Sequence, residues 1–533
     1  MRRSVNVLSK PAWGSCAWAV LALCTTGAAA LPAQTSGSLE GSKTPSTTTP
    51  VLTTLYSFCA KSGCTDGVYP NGGLVQGTNG IFYGTTQAGG ANNNSGTVFK
   101  IKTSGKLTTL YSFCAKTDCT DGQEPTAGVI QATNGDLYGT TDFGGTNDLC
   151  NGAGCGTAFK ITLGGTLTTL YSFCAKSACT DGENPLGGLV QASNRDIYGT
   201  TRAGGLTTHV NSGDQAGTIF QISPSGTLTT VYTFCADLPC DNGASPYAGL
   251  VQGTGGNLYG TTYAGGPYNV GTVFEITPGG TLTTLHTFCS QISGGNCLDG
   301  DDPEAGLVEG SDGNFYGTTT AGGASNRGTV FKITPDGTLT TLYAFCALPN
   351  CADGFYPQAG LIQGTDGNLY GSTLYGGANC PNSILNTMCG TIFRISTAGA
   401  LTTLYSFCAE GGSACTDGSN PGGLVQGTDG VFYGTAMRGG ANGAGSVFSL
   451  SVGLGPFVST QPIAGKVKSA VKILGTDLTG ATSVTFDGMA AAFTVLSPSE
   501  ISTAVPVGAT TGAVQVVTPG GTLSSNVAFQ VLR

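Results

Sequence analysis

One phrase, LTTLYSFC with small changes, begins at Leu52, Leu107, Leu167, Leu228, Leu282, Leu339 and Leu401, at intervals of 54–62 residues. A fixed period of this size marks a repeat architecture, in which no unit buries its apolar surface alone. Each unit holds four strand-like segments. In the fifth complete unit these are Gly306-Leu307-Val308-Glu309, Asn314 to Thr319, Gly328 to Ile333, and Leu339 to Phe345. β-branched and aromatic residues fill them, as strands prefer. Asp312-Gly313 separates the first two and Asp336-Gly337 the last two, dipeptides that accept positive φ and close tight hairpins. The unit predicted is an antiparallel meander of four strands.

The ends of the series distinguish a ring from an open array. Val51 to Phe58 supplies only a fourth segment, and Gly423 to Leu450 only the first three. Joined in one sheet they complete a seventh unit, a cut that a closed ring needs and an open array does not. The expected fold class is all-β: a seven-bladed β-propeller over 51–452 closed by the N-terminal strand, then an immunoglobulin-like β-sandwich over 456–533. Gly is 88 of 533 residues with only 23 Pro and no G-X-Y period, which fits many short strands and tight turns rather than collagen.

Residues 1–33 read as a secretory signal. Arg2, Arg3 and Lys10 precede a short apolar run, Ala17 to Ala30, and Ala28-Ala29-Ala30 offers a small-residue cleavage site. The run is too short to span a bilayer comfortably, so no transmembrane segment is expected in the mature chain. Residues 34–50, rich in Ser, Thr and Pro, read as a flexible leader. Without residues 1–33 the chain carries 18 basic and 30 acidic residues, a balance that argues against nucleic acid and anionic lipid as partners. Secretion, a periplasmic location or the cell surface is the expected destination, and a monomer the expected state.

The cysteines fit an oxidising compartment. Cys16 and Cys24 leave with the signal. Seven local pairs recur once per repeat: Cys59/Cys64, Cys114/Cys119, Cys174/Cys179, Cys235/Cys240, Cys289/Cys297, Cys346/Cys351 and Cys408/Cys415. Cys150/Cys155 and Cys380/Cys389 add two more, and none is left over. Zinc is the rival reading, but each pair offers two sulfurs and no nearby His. Nine disulfides are therefore expected, each closing a small loop and contributing ~2 kcal/mol in the chain-entropy picture.

Two longer loops per unit fall on one face. One holds the Cys pair, mostly as C-x4-C-x-D-G-x-x-P. The other is Gly-rich and follows YGTT, as in Gly89 to Gly96, with expansions at Gly145–Gly156, Gly205–Gly217 and Gly377–Gly390. Stiffened polar loops on a rigid scaffold are where binding usually sits.

Candidate chemistry is sparse. His286 stands where other copies have Tyr, and His209 lies alone in an expanded loop, so no Ser-His-Asp or Cys-His arrangement can be assembled. Asp66, Asp121, Asp181, Asp299, Asp353 and Asp417 recur two residues after the second Cys, each before Gly. They are the ligand-binding candidates, as a ring of carboxylates for cations or sugar hydroxyls. The alternative is an Asp side chain that holds its own turn. The cluster Asp299, Asp301, Asp302 and Glu304 has enough oxygens for Ca²⁺ but lacks EF-hand spacing. No other cofactor is expected. The YGTT tyrosines could stack on sugars, but their place in the second strand favours packing.

The stretch from Gly360 to Phe407, with GTDGNLYGST, GTIFRI and LTTLYSF, resembles the tandem repeats of the exported bacterial GloVer proteins, named for the Gloeobacter and Verrucomicrobia groups. The resemblance covers about residues 51–450 and implies an exported repeat protein without implying an activity. The repeats also bear a loose likeness to seven-bladed streptogramin lyases. Those use His with a metal, chemistry that the scarcity of His here disfavours. After residue 456 Cys vanishes. Val471 to Leu478, Val484 to Gly488, Val505 to Ala509 and Gly512 to Val516 resemble an IPT/TIG domain, and their alternation supports a sandwich independently. The reading that follows is a non-catalytic binding protein whose loop face takes a glycan or a surface protein. A polysaccharide-active or lyase-type enzyme and a purely structural or adhesive protein are the alternatives.

Overall fold

A computed structural model describes residues 49–147, 149–150, 152–205, 216–236, 239–380 and 388–532. The signal, nearly all of the leader, and His209 lie outside the described residues.

The repeats are seven four-stranded antiparallel sheets. The first sheet runs β2 (Val75–Gln76), β3 (Phe82–Thr86), β4 (Thr97–Ile101) and β5 (Leu107–Ser112) in sequence order. Five more sheets repeat that order. The seventh takes Ser419–Gln426, Phe432–Arg438 and Ser446–Ser451 and adds β1 (Val51–Ser57) from the other end of the repeats. Val51 pairs with Ser451 and Ser57 with Ser446, antiparallel.

The glycine of YGTT explains why β3 and β4 lie so close. At Gly84 an added Cβ would meet Phe99 Cζ at 2.7 Å and Leu74 Cδ2 at 2.8 Å. Gly139, Gly199, Gly260, Gly317, Gly371 and Gly434 face the matching Phe in the same way. Here Gly serves close approach rather than unusual φ. The admitted Phe then meets the Phe of LTTLYSF from the preceding sheet. Seven such pairs, from Phe58–Phe99 to Phe407–Phe448, have centroids 5.1–5.3 Å apart, edge to face, a favoured aromatic geometry.

Hydrogen bonds repeat the same order. Backbone N–H groups of Thr78, Thr133, Ser193, Thr254, Ser311, Thr365 and Thr428 each donate to the side chain of Gln131, Gln191, Gln252, Glu309, Gln363, Gln426 and Gln76 respectively, at 2.8–3.1 Å. The seventh bond returns to the first sheet.

The C-terminal part has two four-stranded sheets. One orders Ser459–Gln461, Ala470–Leu474, Glu500–Ala504 and Phe493–Ser497; the other orders Met489–Ala490, Ser483–Phe486, Val514–Thr518 and Gly521–Ser524. Val471, Ile473, Val484, Phe486, Ile501, Val514, Val516 and Phe529 share one core. This part bonds to the first hairpins of the repeats. Phe457 N–H donates to Thr428 O at 3.0 Å, Thr428 and Thr476 hydroxyls lie 2.8 Å apart, and Ser499 Oγ donates to Thr78 O at 3.1 Å. Those hairpins are at the opposite strand ends from the disulfide loops. No helix among the described residues is long and apolar enough to cross a membrane.

Candidate binding face

All nine expected Cys pairs are joined. Each repeat has one: Cys59–Cys64, Cys114–Cys119, Cys174–Cys179, Cys235–Cys240, Cys289–Cys297, Cys346–Cys351 and Cys408–Cys415. Cys150–Cys155 and Cys380–Cys389 staple the expanded loops. Spacing alone gives these cysteines the single task of closing a small loop, and for the second of each repeat pair that is too narrow. The carbonyl oxygens of Cys64, Cys119, Cys179, Cys240, Cys297, Cys351 and Cys415 each accept two backbone N–H groups. One comes from the glycine three residues on, Gly67 to Gly418, at 2.8–3.1 Å. The other comes from the Gly-rich loop, from Gly90, Gly145, Gly205, Gly266, Gly323, Gly377 and Gly440 respectively, at 2.8–3.0 Å. Six of these cysteines, Cys64, Cys119, Cys179, Cys240, Cys351 and Cys415, stand at φ 46–66° to make the turn. The physical reason is that a carbonyl has two lone pairs, so one residue fastens its own loop and the neighbouring loop together.

The disulfide loop is built around its aspartate. Asp66, Asp121, Asp181, Asp299, Asp353 and Asp417 are at most 1% exposed. One oxygen of each accepts a backbone N–H just after the first Cys, at 2.9–3.0 Å, and the other accepts the next N–H at 3.1–3.4 Å. In five copies the LTTLYSF tyrosine also donates its hydroxyl to the first oxygen at 2.7–2.9 Å. Burial, then the Asp partner, pushes these tyrosine hydroxyls above their ordinary pKa. In the fourth copy Asn242, not Asp241, bonds Tyr232. In the fifth, His286 Nε2 takes the tyrosine's role 3.0 Å from Asp299. Burial pushes the Asp299 carboxyl up, but bonds from His286, Ser290 and Gln291 outweigh it and hold the pKa below the usual value. The carboxylates thus spend their lone pairs inside their own loops.

The YGTT tyrosines are buried as well; Tyr83, Tyr138, Tyr198, Tyr316 and Tyr370 are at most 1% exposed.

In the acidic cluster Asp299 faces its own loop, while Asp301, Asp302 and Glu304 lie further along. Among the described residues these carboxylates do not gather three ligand oxygens within 4.8 Å. Asp302 is pushed up to about 7 by burial, by the Asp301 charge and by Glu304, against a hydrogen bond shared with the Tyr263 hydroxyl. Burial raises Glu304 too, against a bond from Gln358 at 2.6 Å.

Sequence reading missed the residue before the proline that ends the disulfide loop. Tyr69, Glu124, Asn184, Ser245, Asp302, Tyr356 and Asn420 all stand at φ 52–58°. The left-handed region disfavours L-residues by ~1–2 kcal/mol, and a following Pro favours extended backbone instead. The surroundings impose the conformation. Each of these N–H groups donates to a carbonyl of the preceding sheet, from Tyr69 to Ala444 O at 2.9 Å through Asn420 to Cys389 O at 2.9 Å. The proline behind each seats against a glycine of that same sheet: a Cβ on Gly96, Gly156, Gly217, Gly271, Gly328, Gly390 or Gly445 would meet Pro Cδ at 2.4–2.7 Å.

This joint has the same backbone in every copy, while the side chains on it vary. Opposite them, just after the second strand or, for Met437, within its end, stand Gln87, Asp142, Arg202, Tyr263, Thr320, Leu374 and Met437, no two alike. The first six donate a backbone N–H to the pre-proline carbonyl at 2.9–3.1 Å. Side chains from neighbouring sheets meet here. Gln87 Nε2 is 3.5 Å from Glu124 Oε2, and Asn184 Nδ2 is 3.1 Å from Asp142 O. Arg202 Cζ lies 6.0 Å from the Tyr247 ring centre, and Tyr247 lies 4.8 Å from Tyr263. Arg327 approaches Phe355, and Arg438 approaches Tyr69, at 5.2 and 5.3 Å. Asp142 is pushed up to about 6 by burial, against the charge of Arg202 and a bond from Asn184. Asp142 Oδ1 and Arg202 Nε are buried without a hydrogen-bond partner among the described residues. A signal was present in the sequence: within an almost invariant repeat, these positions change.

Comparisons with known proteins agree with the repeats. The profile of the Gloeobacter/Verrucomicrobia repeat matches residues 42–209, 151–386 and 292–483, and that of the IPT/TIG domain matches 457–531. No curated protein matches. Among solved structures, a fungal alcohol oxidase in complex with copper aligns at TM-score 0.46 with 11% identity, over 88% of this chain and 98% of that one. A luciferin-regenerating enzyme aligns at 0.35 with 12% identity, over 60% and 89%. A glucose dehydrogenase-like oxidoreductase from Thermus thermophilus aligns at 0.35 with 16% identity, over 61% and 95%. Likeness this distant says nothing of the chemistry here.

Proposed function

The chain belongs to the Gloeobacter/Verrucomicrobia repeat family and carries an IPT/TIG domain, and from that premise we propose that it is an exported, non-catalytic binding protein that takes a glycan on the face formed by the disulfide and pre-proline loops. In this reading 51–452 is a closed seven-bladed propeller, with β1 as the outer strand of the last blade, and 456–533 is its immunoglobulin-like companion. The seven glutamine or glutamate bonds that return to their starting sheet support closure.

One observation carries the functional reading. The side chains that differ between copies gather on one invariant joint, and they include tyrosines, amides, carboxylates and an arginine. Aromatic faces and planar polar groups are what a sugar ring asks of a site, an apolar platform with a few fixed donors and acceptors. The six loop aspartates enter as the groups that hold the loops in place. The TIG domain bonds to the opposite hairpins, which leaves the loop face open to a ligand.

The test is binding of oxidised residues 34–533 to a broad set of soluble glycans and insoluble polysaccharides, with and without EDTA. Saturable binding without turnover, reduced about tenfold or more by Tyr247→Ala through loss of an aromatic anchor, is expected. No binding to any glycan would overturn the glycan reading in favour of a protein partner. A second reading, an enzyme acting on polysaccharide, is favoured by one feature: Asp301 and Asp302 stand together beside Tyr263, and burial raises both carboxyls above the ordinary range, as a paired-carboxylate acid requires. Product release in the same assay, lost in Asp302→Asn, would select it.

A further inference from the structure

Taken alone, each Cys pair offers two sulfurs, too few for zinc. The fold removes that shortfall at one place. Cys150 and Cys155 stand in the expanded loop of the second sheet, and Cys174 and Cys179 in the disulfide loop that follows it. The four Sγ atoms and one carboxylate oxygen of Glu183 all lie within 4.8 Å of one another, the one such group among the described residues. Cys155 and Cys174 are buried, in contact with Phe173 and Ala158 in an apolar cluster. Cys150 Sγ is 2.9 Å from Glu183 Oε2. Both pairs have the C-x4-C spacing found among structural zinc ligands. Cys174/Cys179 belongs to the repeat, whereas Cys150/Cys155 is an insertion that brings two further sulfurs against it.

We propose that Cys150, Cys155, Cys174 and Cys179 form a redox-gated site for a thiophilic divalent cation of the zinc class, two disulfides when oxidised and one tetrathiolate cage when reduced. An external thiol or phosphine reductant gives two electrons to each disulfide, and two protons come from it or from solvent. Both S–S bonds break, four thiols form, and the reductant leaves oxidised. The cation then displaces four thiol protons to solvent and bonds the four sulfurs. A Zn–S length of about 2.3 Å in a tetrahedron sets sulfurs about 3.8 Å apart. The two pairs approach by up to about an ångström while each pair opens. In a compartment that turns reducing, the loops of the second and third sheets would stay fastened by metal instead of by disulfides.

The probe is Co²⁺, whose tetrahedral thiolate complexes have intense sulfur-to-metal charge transfer and visible ligand-field bands. The full chain is reduced with a phosphine in native buffer, loaded with Co²⁺ and gel-filtered. About one Co²⁺ per chain with the tetrahedral spectrum is expected, none before reduction, and about tenfold less in the C150S/C155S variant. The C59S/C64S variant, which lacks a pair elsewhere, should retain as much as the parent. Absence of retained cobalt in the reduced parent would overturn the proposal. So would equal loss in the two variants, the result expected if reduction merely unfolds the chain and scatters its thiols.

Discussion

Asp121, its carboxylate out of water, accepts the Tyr111 hydroxyl at 2.7 Å and the N–H groups of Ala115 and Lys116 at 2.9 and 3.2 Å. Asp121→Ala strands those donors and should lower stability by about 3 kcal/mol, measured by chemical denaturation. Asp121→Asn should cost much less, because Asn242 already fills the equivalent place in the fourth copy. The pre-proline face makes a different claim at this scale. Burial pushes Asp142 up to about 6, and burial with the Asp301 charge pushes Asp302 up to about 7, above the usual ~3.9. Between those values the folded chain holds protons that the unfolded chain has released, so stability falls as pH rises from about 4 to about 7. The D142N/D302N double variant should flatten that part of the stability-against-pH curve. Asp299 contributes the opposite slope. Its pKa is lowered, so its contribution is lost as pH falls below about 4 through the folded value. The aspartates were legible in the sequence because they recur. The pre-proline residues were not, because a search for what recurs passes over the positions where copies differ.

At the scale of the element, the sheets rest on glycines whose reason lies in another strand. A Cβ on Gly317 would meet Phe331 Cζ at 2.5 Å and Leu307 Cδ2 at 2.8 Å. Gly317→Ala must push Phe331 off Phe288, its edge-to-face partner from the preceding sheet, and should destabilise by about 2–3 kcal/mol as overpacking does. Gly255→Ala, in a hairpin turn where a Cβ would meet nothing within 4 Å, should stay within about 0.5 kcal/mol of the parent; thermal melts of the two separate them. Strand positions and hairpin turns could be read from β-branched runs and from Asp-Gly pairs such as Asp312-Gly313 and Asp336-Gly337. The joints between sheets and between loops could not. The glutamine or glutamate that ends each first strand looks like an ordinary strand residue until its side chain is seen receiving a bond from the preceding sheet, as Gln131 does from Thr78. Likewise the Cys spacing shows the staple from Cys114 to Cys119 but not the bond from Gly145 to the Cys119 carbonyl, which a backbone atom makes.

At the scale of the molecule, one cut in the repeat series carried most of the topology. Val51–Ser57 ends up paired with Ser446–Ser451 because the first copy lacks three strands and the last lacks one. The docking of the C-terminal sheets against the hairpins of Thr78 and Thr428 had no sequence signal. It rests on hydroxyls and backbone groups, Ser499, Thr476 and Phe457, that any polar loop contains. The result is a body with one end occupied and the other presenting an invariant frame with variable side chains. The most direct measurement of that claim is hydrogen–deuterium exchange of the oxidised chain with and without a saturating glycan ligand. Protection confined to the loop positions around Tyr69, Glu124, Asp142, Asn184, Arg202, Ser245, Tyr263 and Asp302 is the predicted result. Protection at the hairpins around Thr78 and Thr428, or only within 456–533, would contradict it.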